Sequence, residues 1–199
     1  MMMQARNTTD RYGTVAATLH WLIALFVIAN VCLGLYMADL PRSDPNKFMI
    51  FQTHKSIGLT VLVLSVLRVI WRLINPVPAL PAGLSAPLRY AAHASHFLLY
   101  FLIVFIPLTG WIMVSASPLG NGTLYFGLFD WPNLPLFTGM TRAELHPMRE
   151  TFETAHVILA WSAIVLIPLH VGAALYHHFW RGDTVLRRMV PGTTIEGQT

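Results

Sequence analysis

Four long apolar stretches leave this chain little choice of fold. VAATLHWLIALFVIANVCLGLYM covers 15–37, FQTHKSIGLTVLVLSVLRVIWRLI covers 51–74, RYAAHASHFLLYFLIVFIPLTGWIMV covers 89–114, and the last covers 152–180. The hydrocarbon core of a bilayer takes about 20 apolar residues per helix, and each stretch reaches that length. A membrane barrel would show short alternating segments instead. Composition agrees. Of the 199 residues, 55% are hydrophobic and 11% charged, against roughly 25% charged in soluble domains. The expected fold is an all-α membrane protein, a four-transmembrane-helix bundle, built as a single domain over 1–199.

Four spans return both termini to one side of the membrane. That side carries Arg6, Arg11, Arg68, Arg72, Arg89, Arg181, Arg187 and Arg188 against three acids, a formal +5. The opposite side carries Arg42, Lys47, Lys55, Arg142 and Arg149 against six acids, a formal −1. Basic residues in short loops stay on the cytoplasmic side, so both termini are expected there. The positive balance thus reports orientation. No basic run interleaved with stacking aromatics suggests nucleic-acid binding.

Between the spans, composition marks the connections. Residues 1–13 are polar and expected to fray. NPVPALPAGLSAP, at 75–87, holds four prolines and reads as a stiff extended connector. The stretch 115–150 is an aromatic, Pro- and Gly-rich outer loop, expected to lie at the interface through Tyr125, Phe126, Phe129 and Trp131. The first span is longer than a signal-peptide core and lacks a clean cleavage site after it, so it reads as a retained helix. Cys32 is the only cysteine. That excludes a multi-cysteine metal site, and the thiol is expected to pack inside the first helix.

Nine histidines is a high number for this length, and most sit in or beside the spans. Ionisable groups within a bilayer are costly and mark function; the alternative is that each imidazole bonds a neighbouring helix as packing glue. Their depths pair them. His156 and His170 are fourteen residues apart on the fourth span, about 21 Å along the axis and about 40° apart around it. His54 matches the depth of His156, and His20 that of His170. Facing imidazole pairs suit the iron of a flat macrocycle held between helices. A zinc site would need its ligands converging at one depth. Without a Cys-x-x-Cys-His motif the macrocycle would be non-covalent, b-type haem. Two haems b are expected, with axial pairs His20/His170 and His54/His156.

The remaining candidates stay open at this stage. His93 and His96 compete as ligands at the cytoplasmic level, or hold a propionate, or line a pocket there. Arg68 and Arg72 neutralise propionates or snorkel to headgroups. His177 lies seven residues past His170 on nearly the same face, placed to bond a quinone carbonyl or a propionate. His178 points elsewhere and is expected to snorkel, and His146 is expected in the exposed outer loop. Pro168 is expected to bend the helix locally before His170.

Several short motifs, in order, carry a family likeness: LHWL at 19–22, PRSDP at 41–45, HKSIG at 54–58, HASH at 93–96 and HHFWRGDTVLRRM at 177–189. Over about 11–190 the chain resembles the bacterial cytochrome b561 family of four-helix dihaem membrane cytochromes. On that resemblance His20, His54, His156 and His170 correspond to the axial ligands. The resemblance further implies a superoxide:ubiquinone oxidoreductase of the bacterial inner membrane, taking electrons from superoxide at the periplasmic face and reducing ubiquinone near the cytoplasmic side, with His177 at the quinone end. The sequence departs from the pattern at Val157 after His156, where an acid is expected, and at Lys55 beside His54. A second reading is a membrane-anchor cytochrome b fed by a periplasmic protein donor, as in hydrogenase-type relatives. A His-lined transporter is a third, poorly served by spans with few mid-depth polar residues beyond Asn30, Ser65, Thr109 and Ser162.

Overall fold

In the computed structural model, residues 4–81, 83–120 and 122–190 are described. They are mostly helical. The α-helices are α1 (Thr14–Asp39), α2 (Lys47–Leu73), α3 (Ala86–Ser115) and α4 (Arg142–Phe179). All four are long and apolar enough to cross a membrane. Their apolar side chains largely face outward: Leu25, Val165 and Leu169 are each more than 60% exposed. Such surfaces are stable only against lipid, where water is absent and helices satisfy their own backbone.

Contacts divide the chain into two compact units. A terminal unit combines Met1–Ala24, Leu64–Phe101 and Ile164–Thr199, within the described residues. A hairpin unit combines Leu25–Val63 and Leu102–Ala163. Each helix contributes to both.

In the terminal unit the expectation of a frayed N-terminus fails for the described residues 4–13. Asn7 is 7% exposed. Its side-chain amide donates to the Pro76 carbonyl at 2.9 Å, and its side-chain oxygen accepts the Gly13 N–H at 2.9 Å. Gly13 is required there, because a Cβ would lie 2.2 Å from the Ala5 carbonyl oxygen. The polar segment is ordered because one asparagine satisfies both the start of α1 and the Pro-rich connector, a long-range tie that composition does not reveal. The connector is also held by Ala79 N–H to the Thr9 carbonyl, 3.2 Å, and by Arg188 to the Ala79 carbonyl, 2.6 Å. Trp21 donates to the Met189 carbonyl at 2.8 Å, drawing the C-terminal segment onto α1.

In the hairpin unit the stretch after α3 contains two strands, β1 (Thr123–Tyr125) and β2 (Phe129–Trp131), paired antiparallel with Thr123 opposite Trp131. The four aromatics expected at an interface all fall in this hairpin. Phe126 and Gly127 both have positive φ, 47° and 76°, the twist that a tight hairpin turn favours. A bulky residue in that region is strained, and Ser56 steadies it by accepting the Phe126 N–H at 2.9 Å. Gln52, Ser56 and Thr60 lie on one face of α2, four residues apart. They bond Leu124, Phe126 and Tyr125 respectively.

Two further expectations are corrected here. α4 begins at Arg142, ten residues before the expected 152, so the connecting stretch is shorter than 115–150. The first turns of α4 are polar, and they are stabilised locally instead of by an apolar stripe. Glu144 accepts from both the Thr141 N–H and its hydroxyl at 2.7 Å, and Arg149 pairs with Glu153 at 3.1 Å. Cys32 lies on α1 but is exposed; a thiol behaves as a small apolar group and tolerates a lipid-facing position.

Replacing Asn7 with Ala leaves the Gly13 N–H and the Pro76 carbonyl without their partner. The expected loss is about 1–3 kcal/mol, read as a lowered midpoint of thermal unfolding in detergent, with Thr18→Ala on the exposed face of α1 as the reference substitution.

Candidate functional site

Each unit holds one pair of facing imidazoles. In the hairpin unit the ring centroids of His54 on α2 and His156 on α4 are 6.3 Å apart, at an interplanar angle of 75°. In the terminal unit those of His20 on α1 and His170 on α4 are also 6.3 Å apart, at 74°. Two metal–imidazole bonds of about 2.0–2.1 Å together with the two ring radii span about 6.2–6.4 Å. Both pairs therefore have the separation that one metal ion between them would set.

The hairpin-unit pair is oriented by a repeated device. His54 Nδ1 lies 3.2 Å from the Asn30 carbonyl, and His156 Nδ1 lies 2.9 Å from the Ile106 carbonyl. A carbonyl can only accept, so Nδ1 carries the proton and Nε2 keeps its lone pair for a metal. Four residues after each carbonyl comes a glycine. A Cβ on Gly34 would approach His54 Cε1 to 3.2 Å, and one on Gly110 would approach His156 Cε1 to 3.2 Å. Each ring thus rests in a notch on the neighbouring helix. Asn30, Gly34, Ile106 and Gly110 were not singled out from the sequence as ring supports. The Asn-x-x-x-Gly spacing on α1 was the available signal. Elsewhere glycines support no ring in this way: a Cβ on Gly58 would lie 3.5 Å from the Asn30 side-chain nitrogen, and one on Gly172 would meet nothing within 4 Å.

The terminal-unit pair has a cationic setting. Arg68 donates to the Ala16 carbonyl at 2.8 Å. The guanidinium groups of Arg68 and Arg72 sit 5.5 and 5.0 Å from the Tyr100 ring centroid. Among the described residues neither pairs with a carboxylate, so both can meet anionic groups such as propionates. His96 is edge-on to His170 with centroids 5.6 Å apart, closer than a shared metal would leave them. His93 and His96 line a cavity with Arg72.

His177 ends α4 hydrogen-bonded through Nδ1 to Asp183. Gly182, at φ 63°, allows the turn that brings Asp183 back. The imidazole is thereby oriented. The Nδ1 of His178 is buried without a hydrogen-bond partner among the described residues. His146 stands on α4 and not in a loop, 3.5 Å from Glu150. Lys55 donates to the Gly122 carbonyl at 2.7 Å and so helps to hold the hairpin.

Comparison with known proteins places the chain in a family. The profile of prokaryotic cytochrome b561 matches residues 11–192. The chain belongs to the prokaryotic cytochrome b561 family. It is 36% identical to "Cytochrome b561 homolog 2" of Escherichia coli (strain K12), over 94% of this chain and 95% of that one. It is 30% identical to "Probable superoxide oxidase CybB" of Yersinia pestis, over 91% and 96%, and 27% identical to "Cytochrome b561 homolog 1" of Escherichia coli (strain K12), over 92% and 98%. Like the rest of its family, this cytochrome b561 is a bacterial transmembrane electron-transfer protein that uses b-type haem. The donor set fits that group: neutral imidazoles in facing pairs, at metal-bridging separation, with cations nearby.

Gly34→Val is expected to push the His54 ring out of its notch and lower the haem b content per chain, measured as the pyridine haemochrome. Gly172→Val, where the space is open, is the matching substitution expected to leave it unchanged.

Proposed function

We propose that this cytochrome binds two haems b, one between His20 and His170 and one between His54 and His156, and that it is a superoxide:ubiquinone oxidoreductase. The observation that carries the haem assignment is the matched 6.3 Å separation of both ring pairs. Support for the substrate comes from the relative named as a probable superoxide oxidase. Haem iron held between imidazoles supplies a one-electron carrier. In the overall reaction two superoxide anions give up one electron each and become dioxygen. One ubiquinone takes up two electrons and two protons and becomes ubiquinol.

The protein's own residues have separate tasks. The Asn30 and Ile106 carbonyls fix the tautomers of the hairpin-unit ligands. Arg68 and Arg72, with His93 and His96, supply charge and hydrogen bonds for propionates or an adjoining pocket. His177, oriented by Asp183, is placed to hydrogen-bond a quinone or to meet a propionate. With both termini cytoplasmic, as the basic residues favour, His177 faces the cytoplasmic side of the inner membrane and the hairpin faces the periplasm.

A specific observation favours a second reading, a periplasmic protein as electron donor. On the hairpin side Arg149 is paired with Glu153, and six acids against five basic residues give that side a formal −1. That leaves a weak local field for steering superoxide.

His54→Ala and His20→Ala should each remove one haem, and a different one, as two distinct losses in the reduced-minus-oxidised spectrum. Equal loss of both from either change, in a folded protein, would contradict the pairing. Stopped-flow mixing with superoxide should reduce the haem within the mixing experiment, and ubiquinone should reoxidise it. Haem that superoxide leaves oxidised, but that a periplasmic extract reduces, would establish the protein donor instead.

A further inference from the structure

Beneath the α2–α3 connector, within the terminal unit, lies a half-open cavity of about 620 Å³. Its polar lining is Tyr12, Arg72, Arg89, His93 and His96, and no carboxylate among the described residues lines it. Connector residues 77–81 and Leu84 form an apolar wall. The cavity lies where α2 ends at Leu73 and α3 begins at Ala86, at the limit of two membrane spans. That is headgroup depth.

We infer that this cavity binds the phosphate of an anionic phospholipid, with the acyl chains leaving along the apolar wall. Charge is the first reason. Two guanidinium groups face one space, and among the described residues neither has a carboxylate partner. A neutral ligand would leave both uncompensated. Helix polarity is the second. Arg89 sits in the first turn of α3, whose helix end is already partially positive and holds no acid. An anion there relieves both the side chain and the helix end, and guanidinium forks match phosphate oxygens. The third is amphipathicity. A soluble phosphate compound would use the cations but not the apolar wall, whereas a phospholipid at headgroup depth uses both. Basic pockets between membrane helices bind anionic headgroups in this way.

The cavity is also preformed. Its connector wall is tied by Asn7 to Pro76, by Thr9 to Ala79 and by Arg188 to Ala79, so little ordering remains to oppose binding. One wall residue, His96, touches His170, so a lipid seated here would abut the support of the terminal-unit imidazole pair.

The test uses the full haem-loaded chain, exchanged through detergent and placed in nanodiscs of phosphatidylcholine with or without phosphatidylglycerol. Native mass spectrometry should find phosphatidylglycerol retained on the wild-type chain. Arg72→Gln with Arg89→Gln should weaken retention by about tenfold or more, the effect of two phosphate-facing cations. Arg142→Gln with Arg149→Gln, the same charge change on the hairpin unit, should leave it intact. Arg72→Lys with Arg89→Lys keeps the charge, and it reports partial retention should the glutamine variant fail to fold. Equal loss in both glutamine pairs would overturn the proposal. Displacement of the lipid by inorganic phosphate would make the site one for free phosphate. If Arg89→Gln alone removes haem as His20→Ala does, the cavity holds a propionate and the lipid assignment falls.

Discussion

An imidazole inside a bilayer has two nitrogens to satisfy and no water to help. The rest of the hairpin unit is arranged around that constraint. Each helix donates its own backbone bonds internally, but a carbonyl oxygen has a second lone pair. The Asn30 and Ile106 carbonyls spend theirs on His54 and His156. This requires the imidazole to come close to a helix backbone, and only a missing side chain one turn later permits the approach. Gly34 and Gly110 are that missing side chain. With Nδ1 satisfied, Nε2 keeps its lone pair on each ring, and the two ring centroids stand 6.3 Å apart.

The same helix, α2, does two unrelated jobs on two faces. His54 turns toward the Asn30 carbonyl of α1, while Gln52, Ser56 and Thr60 hold the hairpin by its backbone and by Tyr125. Ser56 is fully buried, and its hydroxyl both donates to the Gln52 carbonyl and accepts from Phe126. A buried hydroxyl satisfied in both roles is a fixed point, so the strained turn at Phe126 is positioned by the helix that carries a candidate ligand.

How much of this was legible follows from the range of each interaction. Helix existence was legible, because twenty apolar residues in a row permit nothing else. So was the close approach of His20 to His170 and of His54 to His156, because depth along a helix is counted in residues. The ring supports were not. Gly34 looks like any small residue in a span until the neighbouring ring is seen beside it. Asn7 looks like part of a polar tail, because its partner is 69 residues away. The start of α4 was misplaced by its polarity: AELHPMRE has no apolar stripe, and its helix rests on the Thr141–Glu144 cap and the Arg149–Glu153 pair, which hydropathy does not register. Cys32 failed for the opposite reason. An apolar residue in a membrane span can face lipid as readily as protein, so hydrophobicity there does not imply burial.

The two imidazole pairs share a geometry and differ in their surroundings. Around His54 and His156 the hydrogen-bond partners are neutral, the Asn30 and Ile106 carbonyls and the Thr109 hydroxyl. Around His20 and His170 stand Arg68, whose guanidinium bonds the Ala16 carbonyl, and Arg72, with Tyr100 beneath both. In a medium of low dielectric constant such charges act strongly, and nearby charge and hydrogen bonding are among the means by which a protein tunes a redox centre. Cations beside one pair favour its less positive state relative to the other. In the proposed reading that bias draws electrons toward the terminal unit, the end where His177 and Asp183 stand. One imidazole geometry used twice, with guanidinium groups beside only one copy among the described residues, gives the proposed electron path its direction.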